Sequence, residues 1–150
     1  MKEKKDILTL QLLYAGLLAD LLQILCDNGL LEKVSTEKQT ENNLAAPARV
    51  KELKLKHPDD VFNFYSNVIG FAQWNSFPMA AGYSFKAKDC KLKSIARYLS
   101  IDSPCNYCCI NPIASLCSAL EIPYQIQVSR TLWDSKSCIL FAINKTNNLK

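Results

Sequence analysis

From residue 7 to residue 25 the chain reads ILTLQLLYAGLLADLLQIL, apolar with few interruptions and free of proline. Leucine in such density favours helix. At about 100° per residue, Thr9, Gly16, Asp20, Gln23 and Asp27 fall on one narrow stripe, and among the other positions only Gln11 is polar. A helix that is apolar around most of its circumference is buried around most of it. It is expected either to run through the core or to pair with a second copy of itself. Asn28-Gly29 supplies a stop. Residues 30–43 carry few apolar positions after Val34 and predict a second, exposed helix that frays into a loop. Residues 45–56 form a basic connector with Pro47.

Pro58-Asp59-Asp60 is a strong helix start, with proline in the first turn and two acids at the positive end of the helix dipole. Val61, Phe62, Tyr65, Val68 and Ile69 give that helix its apolar face, and Gly70 its stop. Residues 71–81 read as an aromatic linker. The period then changes from helical to alternating. Tyr83, Phe85 and Ala87 alternate with Ser84, Lys86 and Lys88, as in a strand with one wet face. A short helix follows, with Leu92, Ile95, Ala96 and Leu99 on one side. Asn111 and Pro112 predict the N-terminus of another, whose face is Ile113, Leu116, Cys117 and Leu120. Tyr124, Ile126 and Val128 alternate again, WDSK at 133–136 makes a turn, and residues 138–143 are an unbroken apolar strand. The expected architecture is one α+β domain spanning residues 1–150. N-terminal helices would pack on a small, largely antiparallel sheet with a C-terminal hairpin, and 83–90, 124–131 and 138–143 would share that sheet.

A chain of 150 residues can bury one full core. The net charge of +4 is scattered over residues 2–5, 49–56 and 86–93, a solvated surface rather than a nucleic-acid stripe. Gln11, Asp20 and Gln23 interrupt the first apolar segment and argue against a secretory signal or a membrane span. Seven cysteines are many for this length. Without a secretory signal they are expected to be reduced, in the cytoplasm, where such clusters mean metal, reactivity or packing.

Three of the seven lie within SPCNYCCINP at 103–112. Two residues between Cys105 and Cys108 let both sulfurs face one metal, as in half of a zinc or iron–sulfur site. Cys90 and Cys138 are the thiols available to complete four ligands; the competing reading is that all four are small buried hydrophobes. Cys108 and Cys109 would precede a helix N-terminus, where partial positive charge favours the thiolate. A nucleophile also wants a base, and the sole histidine, His57, reads as a surface or capping residue. Trp74, Phe77, Tyr83 and Phe85, with Cys109, could line a pocket for an apolar small molecule or simply fill the core. Cys117 reads as core, and Cys26 as core or dimer interface.

The segments GYSFKAKDC at 82–90, SPCNYC at 103–108 and VSRTLWDSKSCILFAI at 128–143 resemble the L-2-amino-thiazoline-4-carboxylic acid hydrolase-like family. More distantly they are similar to vinyl-reductase-like ligand-binding domains and Bet3-type trafficking subunits. The resemblance implies an α+β domain, usually a homodimer, with an interior pocket for a small or hydrophobic ligand. It also implies metal binding at Cys90, Cys105, Cys108 and Cys138. Ser135 stands where the family's hairpin turn typically has glycine, and no catalytic set carries over. The expected function is therefore a non-catalytic ligand- or metal-binding domain. The alternative is a hydrolase of small cyclic amidine or thiazoline carboxylic acids, using a cysteine thiolate or metal-bound water.

Overall fold

In the computed structural model, which describes residues 1–146, the leucine-rich segment forms a 26-residue helix, α1 (Lys2–Asp27). Its buried side is Gln11, Ala15, Leu18, Ala19, Leu22 and Leu25. Asn28 and Gly29 end it, Gly29 with a φ of 64°. The polar stretch after it does not fray. Helix α2 (Leu31–Glu52) runs on through Pro47 and takes in most of the expected connector. Tertiary packing overrides the proline penalty: Ala46 and Asn42 are buried, and α2 lies along the helix at Asn111–Ser118.

His57 starts α3 (Pro58–Phe64) as its N-cap. The Asp59 N–H donates to His57 Nδ1 at 3.2 Å, and the Asp60 carboxylate accepts from the N–H groups of Lys56 and His57 at 2.8 and 2.9 Å. The helix continues into a π turn (Tyr65–Ile69), which Gly70 ends at a φ of 73°. The expected aromatic linker contains a strand instead, β1 (Asn75–Met79), which pairs antiparallel with β2 (Gly82–Ala87). Its five residues are all exposed, so no alternation of apolar and polar positions marked it.

Strand β2 ends before Cys90, which becomes the N-cap of α4 (Lys91–Ala96). The thiol segment is helical as well: a π turn (Asn106–Ile110) leads without a break into α5 (Asn111–Ser118). Strands β3 (Tyr124–Arg130) and β4 (Cys138–Asn144) form the expected hairpin, with a bulge between Val128 and Arg130. The four-stranded sheet is antiparallel throughout, in the order β1-β2-β4-β3. The class is α+β, with helices leading and strands closing the chain.

Two apolar clusters hold these layers together. In the first, α3 and α5 pack on the sheet: the Phe62 and Phe85 rings stack at 3.6 Å beside Ile113, Cys117 and Leu140. In the second, Ala15, Leu18, Ala19 and Leu22 of α1 meet Phe71, Leu92 and Ala96. Gln11 fixes the placement of α1. Its Nε2 donates to the carbonyls of Asn67 and Val68, and its Oε1 accepts from Lys91 Nζ at 2.9 Å. A flank of α1 between its buried side and its polar stripe is apolar and exposed, and by length and composition this helix could cross a membrane.

Candidate functional site

The four thiols singled out by spacing arrive from three separate parts of the chain. Cys90 comes from the step between β2 and α4, Cys105 and Cys108 from one helical turn, and Cys138 from the first position of β4. Cys108 N–H donates to the Pro104 carbonyl at 2.9 Å, a helical bond that keeps Cys105 and Cys108 on one face, three residues apart. Cys90, Cys108, Cys109 and Trp133 all pack against the second apolar cluster. Main-chain donors surround the sulfurs. Leu132 N–H donates to Cys138 Sγ at 3.0 Å. The N–H groups of Leu92 and Lys93 point towards Cys90 Sγ and favour its charged form, although neither completes a capping bond. The Lys93 ammonium donates to the Leu132 carbonyl and also favours the thiolates of Cys90 and Cys138.

Burial dominates the electrostatics. It pushes the Cys108 thiol up to about 12, with the neighbouring charges of Cys105 and Cys90 adding to the rise. Cys138 goes up to about 11, again mainly through burial, with Cys105 and Cys90 contributing. Cys90 is raised by burial and by Cys105. Cys90, Cys108 and Cys138 thus each feel the charge of Cys105, and Cys108 and Cys138 that of Cys90. Among the described residues, however, no three His, Cys, Asp or Glu side chains converge as metal ligands. Neutral thiols gain nothing by converging, whereas a bound cation would draw them in after displacing their protons. All seven cysteines are free.

The thiolate expectation for Cys108 and Cys109 has to be corrected. They lie inside a helical turn and not before one, so no unpaired N–H groups of a helix start face them. Cys109 is raised well above the ordinary thiol value, first by burial and then by Cys108 and other thiols. Both are protonated at neutral pH. Cys117 is fully buried in the first cluster, as its place on the apolar face required, and burial alone pushes it up to about 12.

Of the residues expected around an apolar pocket, Trp74, Tyr83, Phe85 and Cys109 share the first apolar cluster, and only Phe77 lies apart. Phe85 is stacked in the core and Trp74 sits edge-on to Phe62. Tyr83 packs beside His57, while Phe77 lies exposed on β1 with Lys86 over its ring. Cys109 packs between the two apolar clusters. None of the five lines the 590 Å³ groove between α2 and the thiol-bearing turn, whose walls include Ser35, Gln39, Asp102, Ser103, Asn106 and Tyr107.

Sequence reasoning missed the polar network behind that groove. Ser115 Oγ donates to Asn43 Oδ1 at 2.7 Å, Gln39 Nε2 donates to Ser115 Oγ, and Asn42 and Ser115 are buried. In the sequence Gln39, Asn42 and Asn43 look like a solvated helix face. Only the apolar face of α5 hinted that something must cover it. The chain matches no family model, no curated protein and no solved structure.

Proposed function

We propose that this chain is a non-catalytic domain that binds a soft divalent metal, with zinc the expected ion, through Cys90, Cys105, Cys108 and Cys138. One observation supports the reading: Cys90, Cys108 and Cys138, from separate segments, all lie within reach of the charge of Cys105, and the Leu132 N–H donates to Cys138 Sγ. Four sulfurs match the ligand preference of zinc and of iron–sulfur clusters. N–H groups aimed at sulfur are the outer-shell contacts that orient and tune such ligands. The resemblance of these positions to the cysteines of vinyl-reductase-like domains points the same way. Bound there, the metal would tie β2, the thiol-bearing turn and β4 together, and its binding energy would become folding energy.

A hydrolytic use of the site finds less support. His57 caps α3 and packs against Tyr83 and Tyr124, and the buried thiols stay protonated without a metal.

Elemental analysis of untagged protein tests the reading. The expected result is stoichiometric zinc, lost in Cys108→Ser and retained in Cys109→Ser and Cys117→Ser. Stoichiometric iron with a visible charge-transfer band would replace zinc by a cluster on the same ligands. Protein that is purified metal-free and takes up neither on reconstitution would overturn the proposal. So would Cys108→Ser protein with undiminished metal.

A further inference from the structure

We infer that the outer side of α1 is a coiled-coil seam that receives the α1 of a second copy of this chain, docked antiparallel. The surface takes in none of the four thiols and runs along the flank of α1 beside its buried side, meeting the core at Tyr14, which stacks on Phe71. Ile7, Tyr14 and Leu21 recur every seven residues, and so do Leu10, Leu17 and Ile24, offset by three. That is the a/d spacing of a heptad repeat, kept from Ile7 to Ile24. All six are exposed, from 41% at Leu21 to 71% at Leu17. The next stripe round the helix (Gln11, Leu18 and Leu25) is already buried in the chain's own fold. The seam is therefore a second apolar face, distinct from the first.

Three features select a second copy as the occupant. The first is area. With Leu13, also exposed, the seam offers roughly 700 Å² of apolar surface per protomer, so a pair would bury about 1,400 Å², within the range of stable interfaces. The second is charge. Lys2, Lys4 and Lys5 outnumber Glu3 and Asp6 at the start of α1, and its second half carries only the acids Asp20 and Asp27. Antiparallel pairing sets each basic end beside an acidic one and opposes the helix dipoles, whereas parallel pairing would face lysines with lysines. The third is shape. An apolar groove of 340 Å³ opens between the first half of α1 and the π turn after α3, walled by Ile7, Leu10, Tyr14, Asn67, Val68 and Ile69. In an antiparallel pair Leu21 and Ile24 of the other copy reach this groove as knobs into its hole.

A lipid bilayer is the competing occupant, and the fold argues against it. Crossing a membrane would pull Ala15 and Leu22, both fully buried, out of the core and break the Gln11 bonds to Asn67, Val68 and Lys91.

In the antiparallel register Leu10 packs against Leu21 of the other copy, and Tyr14 against Leu17. The test is sedimentation equilibrium of the full chain and its variants, with circular dichroism to confirm folding. The parent should weigh twice the 16.9 kDa chain. Leu17→Asp should fall to the monomer mass with its helix content unchanged, while Leu12→Lys, exposed but off the seam, should stay dimeric. Leu10→Lys and Leu21→Glu should each dissociate the pair, and the double variant should restore it. In a parallel pair the double variant would face like charges and remain a monomer, which would overturn the antiparallel assignment. A parent that is monomeric, or that floats with phosphatidylcholine vesicles, would overturn the proposal. So would a dimer untouched by Leu17→Asp.

Discussion

Replacing Cys117 by alanine should destabilise the protein at neutral pH and stabilise it in alkali. The thiol is fully buried among Ile113, Leu116 and Leu120, so deleting its sulfur costs about 1 kcal/mol of packing at pH 7. Burial also pushes its pKa from the ordinary 9.0 to about 12. An acid whose folded pKa is raised loses its proton first in the unfolded chain. Stability is therefore untouched below pH 9 and falls as the pH climbs from 9 towards 12. At pH 10.5 the shift amounts to about 2 kcal/mol in favour of unfolding. Alanine has no proton to lose, so at that pH Cys117→Ala should exceed the parent by about 1 kcal/mol. Urea midpoints of both proteins, with metal chelated, at pH 7 and 10.5 measure the double difference, in which tyrosines, lysines and the other thiols cancel. A difference that does not change with pH would mean that Cys117 titrates alike in folded and unfolded chains. The account of burial given for the other thiols would then fall with it.

Other substitutions probe the frame around the site. Ser84 is buried on β2 and its hydroxyl has no partner among the described residues, so Ser84→Ala should raise the urea midpoint, by about 1 kcal/mol in stability. A side chain at Gly82 would run into the Ala142 carbonyl oxygen of β4, so Gly82→Ala should cost at least ~2 kcal/mol by thermal denaturation. Phe62→Ala removes the ring stacked on Phe85 and should cost about 3–5 kcal/mol by the same measurement. Zinc titration of the apo protein in weak buffer should release protons, because Cys108 and Cys138 stand at about 12 and 11 before binding. A titration without proton release would show that those thiols take no part.

What the sequence determined by itself was whatever a local pattern encodes. The leucine run made α1, Pro58 to Asp60 started α3, Gly70 stopped its π-turn extension, and the alternation at Tyr124 to Val128 with the turn after it made the hairpin. Each depends on contacts within a few residues, so the pattern is complete where it is read. The spacing of Cys105 and Cys108 likewise put two sulfurs on one face. Tertiary structure decided the rest. Strand β1 carries no apolar alternation, because both its faces are exposed and only the edge of β2 holds it in place. Helix α2 continues through Pro47 because packing along α5 outweighs one missing hydrogen bond. The turn bearing Cys108 and Cys109 became helical, which removed the helix-start field that would have activated those thiols. Setting Cys138 beside Ala87, three residues before Cys90, took the pairing of β2 with β4, contacts dozens of residues apart in the chain. No local pattern specifies such contacts, because the apolar surfaces that meet there could each have found another partner.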